Sequence, residues 1–123
     1  MPSALQNMPC EEEGRFIRTR NDVRQYGHVT VRLVTDLSAK DVSTRYTLSA
    51  DRLSESDLAR VRNGIADWLA AHSSQLVTHQ FHIDVIDGSW LGGAESAHYE
   101  AVQFALSSAA KRVGLLKNED VRA

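Results

Sequence analysis

The stretch Gly14-Arg15-Phe16-Ile17-Arg18-Thr19-Arg20-Asn21-Asp22-Val23-Arg24-Gln25-Tyr26-Gly27-His28-Val29-Thr30-Val31 reads as two strands around a polar tip. The first strand is predicted over 14–20 and the second over 26–36. In the second, Val29, Val31 and Leu33 alternate with His28, Thr30 and Arg32, the period of two of a half-buried strand. The unit is basic as well. Arg15, Arg18, Arg20, Arg24 and Arg32 meet only Asp22 as a counter-charge within it. On a chain with formal net charge -2 this is a local concentration of positive charge.

Downstream, a polar stretch over 38–43 leads to a short third strand around 45–49. Ser54 followed by Asp57 has the form of a capping box, with Asp in place of Glu. Leu58, Val61, Ile65, Trp68 and Leu69 then recur at helical spacing as one apolar stripe, with Arg60, Arg62 and Asp67 off it. A fourth strand is predicted over 77–87. Val77, His79, Phe81, Ile83 and Val85 fall on one face, and Thr78, Gln80, His82, Asp84 and Ile86 on the other. A second helix is predicted over 95–113, burying Tyr99, Val102, Ala105, Leu106, Ala109 and Val113. Its small residues (Ala101, Ala105, Ser108, Ala109) permit close approach to a sheet, and Gly114 serves as its C-cap.

The order β-β-β-α-β-α implies an α/β (α+β) two-layer sandwich, a four-stranded sheet with two helices on one face. The other face is then open, carrying Thr30, Arg32, Gln80, His82 and Asp84. At 123 residues the chain is one domain. Residues 1–13, with two prolines and Glu11-Glu12-Glu13, read as a flexible tail, 14–116 as the domain and 117–123 as a C-terminal tail.

Eleven arginines against three lysines suit bidentate phosphate contacts and stacking on bases. A GC-rich genome produces the same bias. Cys10 stands alone, which excludes an intramolecular disulfide and fits a reducing compartment. No apolar run approaches the roughly 18 residues of a membrane helix, and residues 1–10 lack a secretory signal's charged and apolar regions. The expectation is a cytoplasmic protein. The chain has no Gly-x-x-x-x-Gly-Lys-Ser/Thr loop, so GTP is not expected as a ligand, nor any other cofactor.

Candidate chemistry fails on spacing. His79 and His82, and likewise Asp84 and Asp87, stand three apart, which on a strand puts them on opposite faces. Ser89 has only His98 and Glu95 as local partners and lacks a strand-turn-helix elbow. The chain is therefore read as non-enzymatic, without a metal site. Trp68 belongs to the core. Trp90 at a tip either packs over the sheet end or offers a stacking platform. His28 either packs and hydrogen-bonds locally or contacts RNA.

The runs Gly14-Arg15-Phe16-Ile17-Arg18 and Arg24-Gln25-Tyr26-Gly27-His28-Val29 resemble the start of domain IV of translation elongation factor G. Asp84-Val85-Ile86-Asp87-Gly88-Ser89-Trp90 resembles that family's last strand and its Gly-Ser-aromatic turn. Residues 101–112 resemble its alanine-rich last helix, and 58–71 sit where it has a crossover helix. The resemblance spans about 14–114. It implies the fold of the ribosomal protein S5 second-domain group, with a left-handed crossover against the usual rule. It also implies tip loops that contact transfer and messenger RNA at the decoding centre. Both tips depart from the family pattern. Arg20-Asn21-Asp22-Val23-Arg24 replaces a glycine-rich loop, Leu91 stands where the family often has histidine, and the loop over 91–100 is about two residues longer.

The resulting expectation is a non-catalytic, free-standing translation-factor-like module. It engages the ribosome or a structured RNA through Arg18, Arg20, Asn21, Arg24, Gln25, His28, Ser89 and Trp90. The alternative is a protein-interaction module that uses the open sheet face or a strand edge.

Overall fold

Strands β1 (Cys10–Arg20) and β2 (Val23–Thr35) form one long antiparallel hairpin, in register from Cys10 opposite Leu33 to Arg20 opposite Val23. The structure is a computed structural model and describes residues 3–117. The hairpin closes on Asn21 and Asp22 alone, with φ of 51° and 64°. Two left-handed residues make a type I′ turn, whose twist matches that of the strands. Asn and Asp tolerate this region because their short side chains bond locally. The tip is therefore a two-residue turn rather than a five-residue loop.

β1 begins at Cys10, before the predicted start at Gly14. The acidic run lies in the sheet, not in a tail. Glu11 pairs with Arg32 at 2.6 Å, Glu13 bonds His28 at 2.7 Å, and Glu12 accepts from Ser108 at 2.8 Å and from Arg112 at 2.5 Å. Upstream, Ala4–Asn7 is a 3-10 turn with Ala4 buried, held by Asn7 Nδ2 donating to the Val113 carbonyl at 2.9 Å. The sequence suggests a tail here, with pairing of the glutamates to the hairpin arginines as the alternative, and Arg15 and Arg32 do pair with Glu13 and Glu11. The glutamates are also taken up by basic and hydroxyl side chains that lie far away in sequence. Of the predicted C-terminal tail, residues 118–123 lie outside the described residues.

The sheet order is β1-β2-β4-β3. β4 (Phe81–Ser89) is antiparallel to β2, and the short β3 (Ser43–Tyr46) is parallel to β4. Helix α1 (Glu55–His72) follows β3, and its N-cap Ser54 accepts from the Asp57 amide at 3.1 Å. A fifth, two-residue strand, β5 (Glu95–Ser96), adds in parallel to β2 at Gln25 and Tyr26. Helix α2 (His98–Val113) therefore starts later than predicted and ends on Gly114, which is left-handed at φ 79°.

Helix α2 lies on β1 and β2, and α1 lies against α2. The core joins Val29, Val31 and Leu33 to Phe81, Ile83 and Val85 of the sheet. Above them pack Ala101, Val102, Ala105, Leu106 and Ala109, then Val61, Ile65 and Trp68. The helix rests directly on sheet backbone at two glycines. A Cβ on Gly14 would fall onto the Ala101 carbonyl, and one on Gly27 onto the Ala97 carbonyl. No helix among the described residues is long and apolar enough to cross a membrane.

Gly27→Ala and Gly14→Ala are each expected to cost about 3 kcal/mol, because overpacking against backbone cannot be relieved by a rotamer change. Gly92→Ala, where an added Cβ meets only a Trp90 ring atom at 3.5 Å, is expected to change stability by less than about 1 kcal/mol. Urea unfolding of the three variants checks both. A pH prediction follows from Glu12. Its bonds from Ser108 and then Arg112 hold its carboxyl below the ordinary glutamate value of 4.5. A depressed folded value stabilises fully above the unfolded value and is lost as pH falls through the folded one. Glu12→Gln should therefore lessen the fall in stability below about pH 4.5, measured by urea midpoints across that range.

Candidate functional site

A bulge reshapes the open face of the sheet. Thr30 lies opposite Asp87 and Val31 opposite Val85, so Ile86 is an extra residue in β4. Alternation breaks there. His82 and Asp84 precede the bulge on the open face. Asp87 and Ser89 follow it and, lying opposite Thr30 and His28, share that same face. The expectation that Asp84 and Asp87 face opposite ways is thereby corrected.

The bulge delivers Ser89 to His28. Ser89 Oγ stands 2.8 Å from His28 Nδ1, and Glu13 Oε2 stands 2.7 Å from His28 Nε2. The Tyr26 hydroxyl lies 3.1 Å from Ser89 Oγ. The Glu13 carboxylate can only accept, so Nε2 carries the hydrogen of the neutral ring and Nδ1 is its lone pair. Ser89 then donates to Nδ1, and Tyr26 donates to Ser89. His28 is only 7% exposed. Glu13 is half exposed and also meets Arg15 at 3.5 Å.

This grouping differs from the one expected at Ser89. His98, buried at the start of α2, uses Nε2 to donate to the Ser89 carbonyl at 2.8 Å and Nδ1 to accept from Ser96 at 2.9 Å. Glu95 accepts from Gln25 at 3.4 Å. Glu13 was missed because the first strand was read as starting after it. Extending the alternation of β1 back to Cys10 would have placed it near His28.

The centre of the open face is less open than expected. His82 and Asp84 are 6% and 9% exposed, whereas Gln80 is exposed and Thr30 and Arg32 are half-buried. Asp84 lies between two arginines in register, Arg32 on β2 and Arg45 on β3. His82 Nε2 stands 3.5 Å from Asp84 Oδ1, and its Nδ1 stands 3.9 Å from Asp36 Oδ2. Nearer the bulge, Asp87 pairs with Arg52 at 3.0 Å. The Gly88 amide and then Arg52 hold the Asp87 carboxyl below its usual range.

The arginines of the hairpin do not form one row. Arg18 and Arg20 lie on the helix side with Gln25, and Arg15, Arg24 and Arg32 on the open side. Arg15 and Arg32 are paired with Glu13 and Glu11. Arg18 donates to Gln25 at 2.7 Å and lies 5.1 Å from the Phe16 ring centre. Among the described residues, Arg20 and Arg24 have neither an ion pair nor a side-chain hydrogen bond. Asn21 is exposed in the turn. Trp90 is 60% exposed. It opens the loop over 90–94, which returns as β5 beside Gln25, so it stands at the same end of the sheet as the hairpin tip. A cleft of about 250 Å³ at this end is lined by Tyr26, Trp90, Leu91, Gly93, Ala94 and His98, among others.

No family model matches the chain, and no curated protein matches it. Among solved structures it is similar to a crystal structure of a protein from Thermus thermophilus, at 20% identity and a TM-score of 0.60. The match covers 83% of this chain and 15% of that one. At this identity the likeness shows a shared fold. This chain spans a small fraction of the longer protein.

The tautomer deduced for His28 can be checked directly. Nitrogen-15 spectra of the imidazole at pH 8 should show a protonated Nε2 and a bare Nδ1, and Glu13→Ala should weaken that preference.

Proposed function

We propose that the chain is a binding module for the ribosome or for structured RNA, acting through the distal end of the β1–β2 hairpin. One observation carries the reading. Arg20 and Arg24 are charged, exposed and unpaired among the described residues, on a hairpin stiffened by a type I′ turn. Unpaired arginines can make bidentate contacts with phosphate without first breaking an ion pair. Exposed Trp90 at the same end adds a face on which a base can stack. The resemblance to elongation factor G domain IV supports the same end of the molecule, and with it a module that uses no GTP. Gln25 and Arg18 serve this reading by bracing the hairpin. Buried, unpaired Cys10 accords with a cytoplasmic setting.

The alternative, a protein-interaction module, rests on Ile17, 62% exposed on edge strand β1. The same strand carries Glu11, Glu13 and Arg15, and charged side chains along an edge oppose strand addition. RNA at the tip is the better-supported reading.

Purified protein should bind ribosomes or a structured RNA at about 50 mM salt and lose affinity steeply by about 200 mM. Arg20→Ala with Arg24→Ala should weaken binding and flatten the slope of log K against log salt by about 1.4, at roughly 0.7 per phosphate contact on single strands. Absence of binding at low salt, or binding indifferent to both substitutions, would remove this reading.

A further inference from the structure

Beyond RNA binding, the relay on the open face has the polarity of an activated nucleophile. Glu13 fixes the hydrogen on His28 Nε2 at 2.7 Å, which leaves Nδ1 as a base 2.8 Å from Ser89 Oγ. A base within hydrogen-bond reach of a hydroxyl, itself oriented by a carboxylate, is the arrangement that nucleophilic catalysis requires. The Tyr26 hydroxyl, 3.1 Å away, points a further donor at the same oxygen. Ser89 is half-buried rather than sealed in the core. The cleft of about 250 Å³ lies next to Ser89 rather than around it: Tyr26 and Trp90, which flank Ser89, line it with Gly92, Gly93 and Ala94, and Ser89 itself does not. His98 donates to the Ser89 carbonyl at 2.8 Å and holds the backbone of the nucleophile in place.

We propose that Ser89 is an acyl-accepting nucleophile, with His28 as its general base, Glu13 as the positioning residue and a small carboxylic ester as the substrate class. Ser89 Oγ forms a bond to the ester carbonyl carbon while its proton passes to His28 Nδ1. The bond from that carbon to the leaving oxygen then breaks, and the His28 proton goes to the departing alkoxide. Water repeats the step on the acylated serine: its proton passes through His28 to Ser89 Oγ as the acid is released. The Tyr26 hydroxyl, 3.1 Å from Ser89 Oγ, helps hold that oxygen beside His28 Nδ1.

A fluorophosphonate probe tests this without knowledge of the natural ester. The P–F bond breaks as the Oγ–P bond forms, leaving a stable mass increment on one serine. The expected result is a single adduct, mapped by peptide mass spectrometry to Ser89, formed by the folded protein and absent after unfolding in urea. Ser89→Ala should abolish it. His28→Gln should slow it by at least about a hundredfold, the scale of a lost general base. Because His28 is buried and its variant is at risk of misfolding, Glu13→Gln is the second arm. Its side chain is half exposed, and it should slow labelling at least about tenfold with an unchanged urea midpoint. No adduct, an adduct elsewhere, or a Ser89 adduct formed equally fast in Glu13→Gln would overturn the proposal and leave the relay as a clamp between β1, β2 and β4.

Discussion

The contact of α2 with bare sheet backbone at Gly14 and Gly27 governs the rest of the molecule. Carbonyl oxygens of Ala101 and Ala97 occupy the space where side chains of β1 and β2 would stand. So close an approach needs glycine below and alanine above, and it fixes both the height and the direction of the helix. The start of α2 is pinned over Gly27, which brings His98 to the end of β4 and its Nε2 to the Ser89 carbonyl. A turn further on, Gly14 lies under Ala101 and Ala105, and from there the helix runs on to bring Ser108 and Arg112 to Glu12. A change in helix height would therefore be felt at Ser89 and at the acidic run together.

Those two glycines also lie inside the sequence runs that most resemble elongation factor G domain IV, and this bears on what the resemblance means. Gly14 opens one run and Gly27 sits within Gln-Tyr-Gly-His. Their role here is packing, so these positions answer to the close approach of α2 and carry no information about a binding partner. The residues that depart from the family lie at the tips, where packing makes no demand.

Much of the layout was legible because it follows from local rules. The alternation of Val29, Val31 and Leu33, the stripe Val61-Ile65-Trp68, the Ser54 cap and the Gly114 C-cap each report a single element, and each was found where expected. What escaped depends on pairing between distant segments. The Ile86 bulge exists only relative to β2, and β5 only because β4 ends and leaves Gln25 and Tyr26 unpaired on that side. The acidic run reads as a tail whose glutamates could pair with the hairpin arginines; Arg15 and Arg32 do pair with Glu13 and Glu11, while His28, Ser108 and Arg112, from 15 to 100 residues away, are partners that spacing does not give. The relay needed both the bulge and the longer first strand. Ser89 could not be joined to His28 from spacing alone, and Glu13 only once the alternation of β1 is carried back to Cys10.

The distal hairpin poses its own physical problem. Every residue from 17 to 24 is exposed, so this segment buries no core. An isolated two-stranded hairpin is marginal in water, and this one must draw its order from elsewhere. It continues the register of the packed hairpin without a break, and it closes on a turn whose twist suits the strands. The chain of bonds from Arg18 to Gln25 to Glu95 ties its base to β5. Phe16 stacked on Phe104, with ring centres 6.0 Å apart, ties β1 to α2 just before the exposed segment begins. Beyond it the chain spends no residues on a core and keeps Arg20 and Arg24 at the end of a braced arm. An arm of that kind gains nothing for stability. Its order therefore rests on the register it continues, on the turn that closes it and on the bonds at its base.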